Sequence, residues 1–127
     1  MKLLLVLLFA LYPLCAQQEA RETWQSIKQF RSISWDNDTS LATAHRAYEM
    51  ADIRYLSHDD FMQIADSIGF SGCEIIARTP PGINLIFPAW MASPRHLACV
   101  ANPLYSRASV ASFMGSDGQI YTAMWLR

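Results

Sequence analysis

Ala89-Trp90-Met91-Ala92-Ser93-Pro94-Arg95-His96 is the stretch on which the reading of this chain turns. Residues 84–93 read as a helix carrying Trp90, with Pro88 confined to its first turn or kinking it. Ser93-Pro94 ends that helix, and His96 follows in a turn. Moving back along the chain, Cys73-Glu74-Ile75-Ile76-Ala77 is short and β-branched at its centre, which predicts a strand or extended segment. A carboxylate opening an apolar run is unusual, because an unpaired buried charge is costly. Glu74 therefore wants a partner, and histidine is a natural one. Further back, Ser57-His58-Asp59-Asp60 places a second imidazole at the mouth of another predicted helix, with Ser57 as its N-cap.

The remaining elements follow from periodicity. Trp24, Ile27 and Phe30 have helical spacing in residues 20–31. Residues 34–39 read as a turn. Leu41, Ala44, Tyr48, Ala51 and Tyr55 form one stripe of a second helix, taken as its buried face. Phe61, Ile64, Ala65 and Ile68 form the buried stripe of a third, which Gly69 and Gly72 stop. Thr79-Pro80-Pro81-Gly82 is a loop. Residues 107–114 and 119–126 are strands joined by the hairpin loop Gly115-Ser116-Asp117-Gly118. Both faces of the last strand are largely apolar, so it is expected to be covered on both sides. Helices first and antiparallel strands last describe an α+β layered domain.

The chain has 127 residues, 52% hydrophobic and 17% charged, with a net charge of −1. This excludes a multi-domain assembly and a disordered tail. Ten Lys and Arg against eleven Asp and Glu make no basic field, which argues against nucleic acid as a partner. Lys2, about ten apolar residues and then Pro13-Leu14-Cys15-Ala16 form the pattern of a secretory signal peptide. The run is too short to span a membrane, which takes about 20 residues. Cleavage is expected after Ala16, leaving residues 17–127 as a single exported domain without a transmembrane segment. A lipid anchor at Cys15 is the rival, although Pro13-Leu14 lacks the small residues such a site prefers. Secretion or a periplasmic location makes Cys73 and Cys99 a candidate disulfide, with two buried free thiols as the alternative. Asn37-Asp38-Thr39 is a glycosylation sequon that matters only in a glycosylating host.

Two imidazoles and a carboxylate can hold Zn²⁺ with water in the fourth position, or serve as a proton-transfer set without metal. His58, Glu74 and His96 are spaced too widely to form a local motif, so on their own they read as surface or capping residues. Several segments alter that. The run Ala89 to His96 resembles "AWMNSPGH", Leu56-Ser57-His58 resembles "FSH", and Gly69-Phe70 with Glu74-Ile75-Ile76-Ala77 resembles "GY…ENIA". Ser34-Trp35-Asp36 with Leu41, Ala44, Ala47, Met50 and Ala51 resembles a helix ending in "MA", and Pro103 and the closing Tyr121 to Trp125 strand also fit in order. In these segments the chain resembles the bacterial branch of the CAP superfamily, the SCP-like cysteine-rich secretory, antigen 5 and pathogenesis-related 1 proteins. The resemblance implies an α-β-α sandwich with a small antiparallel sheet covered by helices. It also implies a cavity lined by His58, His96 and Glu74. The departures are Ile75 where that pattern has Asn, Leu97 after His96, Cys99 in place of Asn, and no second acid near Trp90. Cys73 and Cys99 both replace residues flanking the trio, which adds interest to a bridge between them.

The expected function is an exported, non-catalytic binding module whose His/Glu cleft takes Zn²⁺ or a small apolar molecule, a cell-wall component or another protein. The alternative is an extracellular hydrolase with Ser57, Ser71 or Ser93 as nucleophile beside a histidine. No G-x-S-x-G elbow supports it.

Overall fold

A computed structural model of the chain describes residues 2–82 and 84–127, with side chains for 14–82 and 84–127. Helix α1 (Lys2–Phe30) is continuous through the apolar leader and the first expected amphipathic segment. The bond after Ala16 lies inside this helix, and the leader's apolar side chains, up to Pro13, fall outside the described residues. Among the described residues no helix is long and apolar enough to cross a membrane. Ile27 is fully buried as expected, but Phe30 is exposed at the end of the helix, edge-on to Phe87.

The sheet has four strands in the order β1-β3-β4-β2: β1 (Ser34–Trp35), β2 (Cys73–Thr79), β3 (Arg107–Met114) and β4 (Ile120–Leu126). β2, β3 and β4 pair antiparallel, whereas the two-residue β1 pairs parallel to β3, so the sheet is mixed and not purely antiparallel. Residues 34–35, expected in a turn, supply that extra edge. The hairpin between β3 and β4 closes with Gly118 at φ 76°, a left-handed geometry that suits glycine. All of β4 is buried, as its two apolar faces require.

Strand alternation sorts the side chains into two layers. Ile75 and Ala77 of β2, Ala108 and Val110 of β3, and Met124 and Leu126 of β4 face one way, with Ile27 of α1 and Trp90, Cys99 and Val100 of α4 (Ile86–Ala92) and α5 (Pro94–Val100). Ile76, Tyr121 and Ala123 face the other way, under Ala47, Met50 and Ala51 of α2 (Ser40–Ile53). Trp125 continues that second layer with Phe70 and with Ala65 of α3 (Phe61–Ile68). The result is an α-β-α sandwich, as the sequence reading expected.

Helix α2 presents a different face from the one its apolar residues suggested. Thr43, Arg46, Ala47, Met50 and Ala51 are buried, a regular i, i+3, i+4, i+7, i+8 stripe. Leu41, Tyr48 and Tyr55 are exposed at 82%, 55% and 59%. Two polar residues on the buried face find partners, which is what lets that face turn inward. Thr43 Oγ1 bonds to Ser109 Oγ at 2.6 Å, and Arg46 pairs with Glu74. The 84–93 helix is also shorter than expected. A second helix begins at Pro94, whose missing N–H costs nothing at a first helical position, so His96 lies in a helix and not in a turn.

Candidate functional site

Glu74 opens β2 on the face turned toward α2 and α3, opposite Trp125 in the ladder. Its side chain is fully buried and accepts four hydrogen bonds. Arg46 donates twice, Nε to Oε2 at 2.9 Å and Nη2 to Oε1 at 3.0 Å. Trp125 Nε1 donates to Oε2 at 2.7 Å. His58 Nδ1 meets Oε1 at 2.9 Å, and an ionised carboxylate only accepts, so Nδ1 carries the proton. Every oxygen of the acid is therefore used twice. Burial works against the charge on Arg46, but the hydrogen bonds and charge of Glu74 outweigh it and hold the guanidinium pKa above its usual value. Arg46 also reaches Glu49 Oε2 at 3.2 Å and the Ser57 carbonyl, which anchors the loop leading into His58.

His58 differs in exposure from its partner: its side chain is 54% accessible while that of Glu74 is 0%. The carboxylate thus fixes one ring nitrogen and leaves Nε2 as an acceptor at the surface. Ser57, expected as the N-cap of α3, does something else. Its Oγ accepts the Asp59 N–H at 2.9 Å, and the helix starts later, at Phe61. His58 therefore stands in a hydrogen-bonded turn before α3.

His96 stands in the first turn of α5, half-buried. Burial lowers its pKa, and the nearby charge of His58 lowers it further, so the two imidazoles are electrostatic neighbours. The Cys73–Cys99 disulfide ties α5 to the residue before Glu74, with Cα atoms 6.3 Å apart. The pairing open at the sequence level is thus made. It brings the helix of His96 to the start of β2.

A metal set in which Glu74 is a direct ligand does not fit this arrangement. Its four lone-pair positions are taken, and a guanidinium sits where a cation would have to approach. Among the described residues no group of three His, Cys, Asp or Glu side chains is placed to hold a metal ion. What fits is a smaller role: Glu74 orients the exposed imidazole of His58, with half-buried His96 as its electrostatic neighbour. Arg46 is the residue the sequence reading missed. A lone arginine amid Ala, Met and Thr on one helical stripe was the available signal.

A separate apolar groove of about 400 Å³ runs between α2 and α3, lined by Leu41, Ala42, Ile64 and Ile68 with Asp38 and His45 at its polar side. Neither His58, Glu74 nor His96 lines this groove.

No protein-family model and no curated protein matches the sequence. Solved structures do match. An outer surface protein of Borrelia burgdorferi superposes with a TM-score of 0.67 at 19% identity, covering 85% of this chain and 88% of that one. An extracellular protein of Bacillus anthracis containing an SCP domain gives 0.62 at 19% identity, covering 89% of this chain and 40% of that one. A cysteine-rich secretory protein of Staphylococcus aureus gives 0.60 at 14% identity, covering 85% of this chain and 38% of that one. The chain thus spans well under half of the latter two proteins and nearly all of the first. At these identities the likeness concerns architecture, and the layered helices and sheet described above, with Glu74 at the head of β2, have the CAP (SCP-like) fold.

Proposed function

We propose that the chain is an exported binding module, with no reaction of its own, whose recognition surface centres on His58 and His96. The observation that carries this reading is the buried Arg46–Glu74 pair. An ion pair of this kind is a poor source of stability, since desolvation offsets most of the attraction. Here it holds one exposed imidazole in a single tautomer and orientation. Export is supported by the leader pattern, by the disulfide, and by the surface and extracellular placement of the structural neighbours. Among the described residues no serine hydroxyl is hydrogen-bonded to either histidine, which favours binding over the hydrolase alternative.

Zn²⁺ is the probe for this surface. His58 Nε2 and His96 would hold it, water or ligand atoms would complete the shell, and Glu74 would act from behind as the hydrogen-bond partner of His58. Calorimetric titration of Zn²⁺ tests it. One weak site is expected in the parent chain and none in His58→Ala/His96→Ala, whose circular dichroism should match the parent. No heat above buffer in the parent would remove the metal from this reading.

The α2–α3 groove favours a second reading, a small apolar ligand held away from the imidazoles. Leu41, 82% exposed, is the wall to test. Leu41→Glu should abolish the fluorescence gain of an apolar dye that binds the parent chain, while leaving Zn²⁺ titration unchanged.

A further inference from the structure

Glu19 is the side chain least accounted for by the fold. It lies on α1 with 1% of its surface exposed, and neither carboxylate oxygen has a side-chain hydrogen-bond partner. A buried carboxylate is expensive unless its charge is removed or matched. Glu22, one turn on, shares the same helical face. Its Oε1 accepts from Gln18 Nε2 at 2.9 Å, but its Oε2 is buried and unpartnered. Gly82 and Asn84, after β2, lie against this part of α1. Burial and then the charge of Glu22 raise the Glu19 pKa, and only the nearby Gly82 N–H opposes them. Asn84 Nδ2 donates to Ser26 Oγ at 3.1 Å, one turn beyond Glu22, and Asn84 Oδ1 is again buried without a partner. Thr79 Oγ1, on a residue 8% exposed at the strand end that feeds the loop, is in the same condition.

Among the described residues these are all the buried side-chain polar atoms left without a partner. Every one is an oxygen; the Glu19 and Glu22 atoms lie on α1 at its junction with Gly82 and Asn84, and Thr79 ends the strand that leads there. No ion pair among the described residues reaches Glu19 or Glu22. We infer that this junction binds a hard divalent cation, calcium, through the Glu19 and Glu22 carboxylates and Asn84 Oδ1. The donor set suits calcium because it offers oxygen alone, two carboxylates plus a neutral amide oxygen, and no nitrogen or sulfur. The site lies at the far end of β2 from Glu74, roughly 16 Å away by strand rise, and is independent of the imidazole surface. Two carboxylates place its affinity in the range of extracellular calcium modules, Kd about 10⁻⁴–10⁻³ M.

The test is thermal unfolding of the full chain at pH 7.5 in EDTA and in calcium at about tenfold the Kd, with calorimetry for stoichiometry. Calcium should raise Tm by about 5 °C and bind one to one. Glu19→Gln and Glu22→Gln should each lose that shift, and His58→Ala/His96→Ala should keep it. Asn84→Asp should enlarge it by adding a third carboxylate. No shift and no heat in the parent chain overturns the inference, as does an undiminished shift in both glutamine variants. If, in addition, the parent's Tm in EDTA falls between pH 5 and 8 while that of Glu19→Gln does not, the junction is instead a carboxyl pair sharing a proton.

Discussion

Replacing Glu74 with Gln changes one atom of the hub and sets four donors against it. Arg46 Nε and Nη2, Trp125 Nε1 and His58 Nδ1 now converge on the carboxylate at 2.7–3.0 Å. The amide offers one oxygen, and in either orientation its NH₂ faces an Arg46 N–H that can only donate, with Trp125 Nε1 beside it at one position and His58, which can accept by changing tautomer, at the other. Arg46 then stays charged and 2% exposed, with Glu49 at 3.2 Å and the Ser57 carbonyl as its remaining partners. Breaking a buried pair from one side costs about 3–5 kcal/mol. The surviving contact to Glu49 puts this case at the lower end, about 3–4 kcal/mol. At about 4 °C per kcal/mol for a domain of this size, Tm should fall by about 12–16 °C. Removing the guanidinium as well, in Glu74→Gln/Arg46→Met, should recover more than half of the loss, because no buried charge is then left unmatched. Urea unfolding of the parent, both single variants and the double variant closes the cycle. A loss under 1 kcal/mol in Glu74→Gln, or a double variant no better than the sum of the singles, would refute the view of Glu74 as the hub.

Three further outcomes follow from other parts of the structure. The Cys73–Cys99 bridge closes a loop with a sequence separation of 26, so reduction or Cys73→Ser/Cys99→Ser should cost about 3.5 kcal/mol on the chain-entropy model, read from urea midpoints with and without reductant. Burial and the charge of His58 lower the His96 pKa, so the unfolded chain takes up its proton first. That share of stability is present above the ordinary histidine pKa of about 6.5 and lost as pH falls toward the folded value. His96→Gln should flatten Tm between pH 7.5 and 5, and parallel curves for variant and parent would contradict the shift. A Cβ at Gly72 would stand 2.0 Å from the Leu126 carbonyl oxygen. Gly72→Ala should thus lose about 3 kcal/mol or more by forcing β2 and β4 apart, visible as an early melt, whereas Gly69→Ala, with nothing within 4 Å, suffers only from its left-handed φ of 68°.

The long β3–β4 hairpin was legible in the sequence because alternation and turn chemistry agree there, from Arg107 to Leu126. β2 and Trp90 were legible for similar reasons, and α3 was legible as an element, although of its expected buried stripe Ala65 alone is buried, Phe61 and Ile64 are half-buried and Ile68 is 49% exposed. The inner face of α2 was not. Apolar residues mark a core only when the polar ones have no partner, and Arg46 has one 28 positions away. Leu41, Tyr48 and Tyr55 look inward on a helical wheel and face outward in the fold. Likewise Pro94 reads as a stop in the sequence, although a proline starts a helix as readily as it ends one. Glu74 was singled out correctly as a carboxylate in need of a partner. Pairing it with His58 was within reach, but the arginine that completes its shell, and closes it to metal, lay in a segment read as hydrophobic.

β2 lies at the outer margin of the sheet, with β4 on one side alone. A seven-residue strand with one unpaired side is a template for strand addition from another chain. Here α4 and α5 guard it: Trp90 Nε1 donates to the Ile76 carbonyl at 3.0 Å, and the disulfide pins α5 to its first residue. Pro80-Pro81 ends the strand immediately after Thr79 with two residues that cannot donate to a ladder. A reducing compartment would therefore unfasten the guard along with the bond, and the chain should be more prone to aggregate there than its loss of stability alone would suggest.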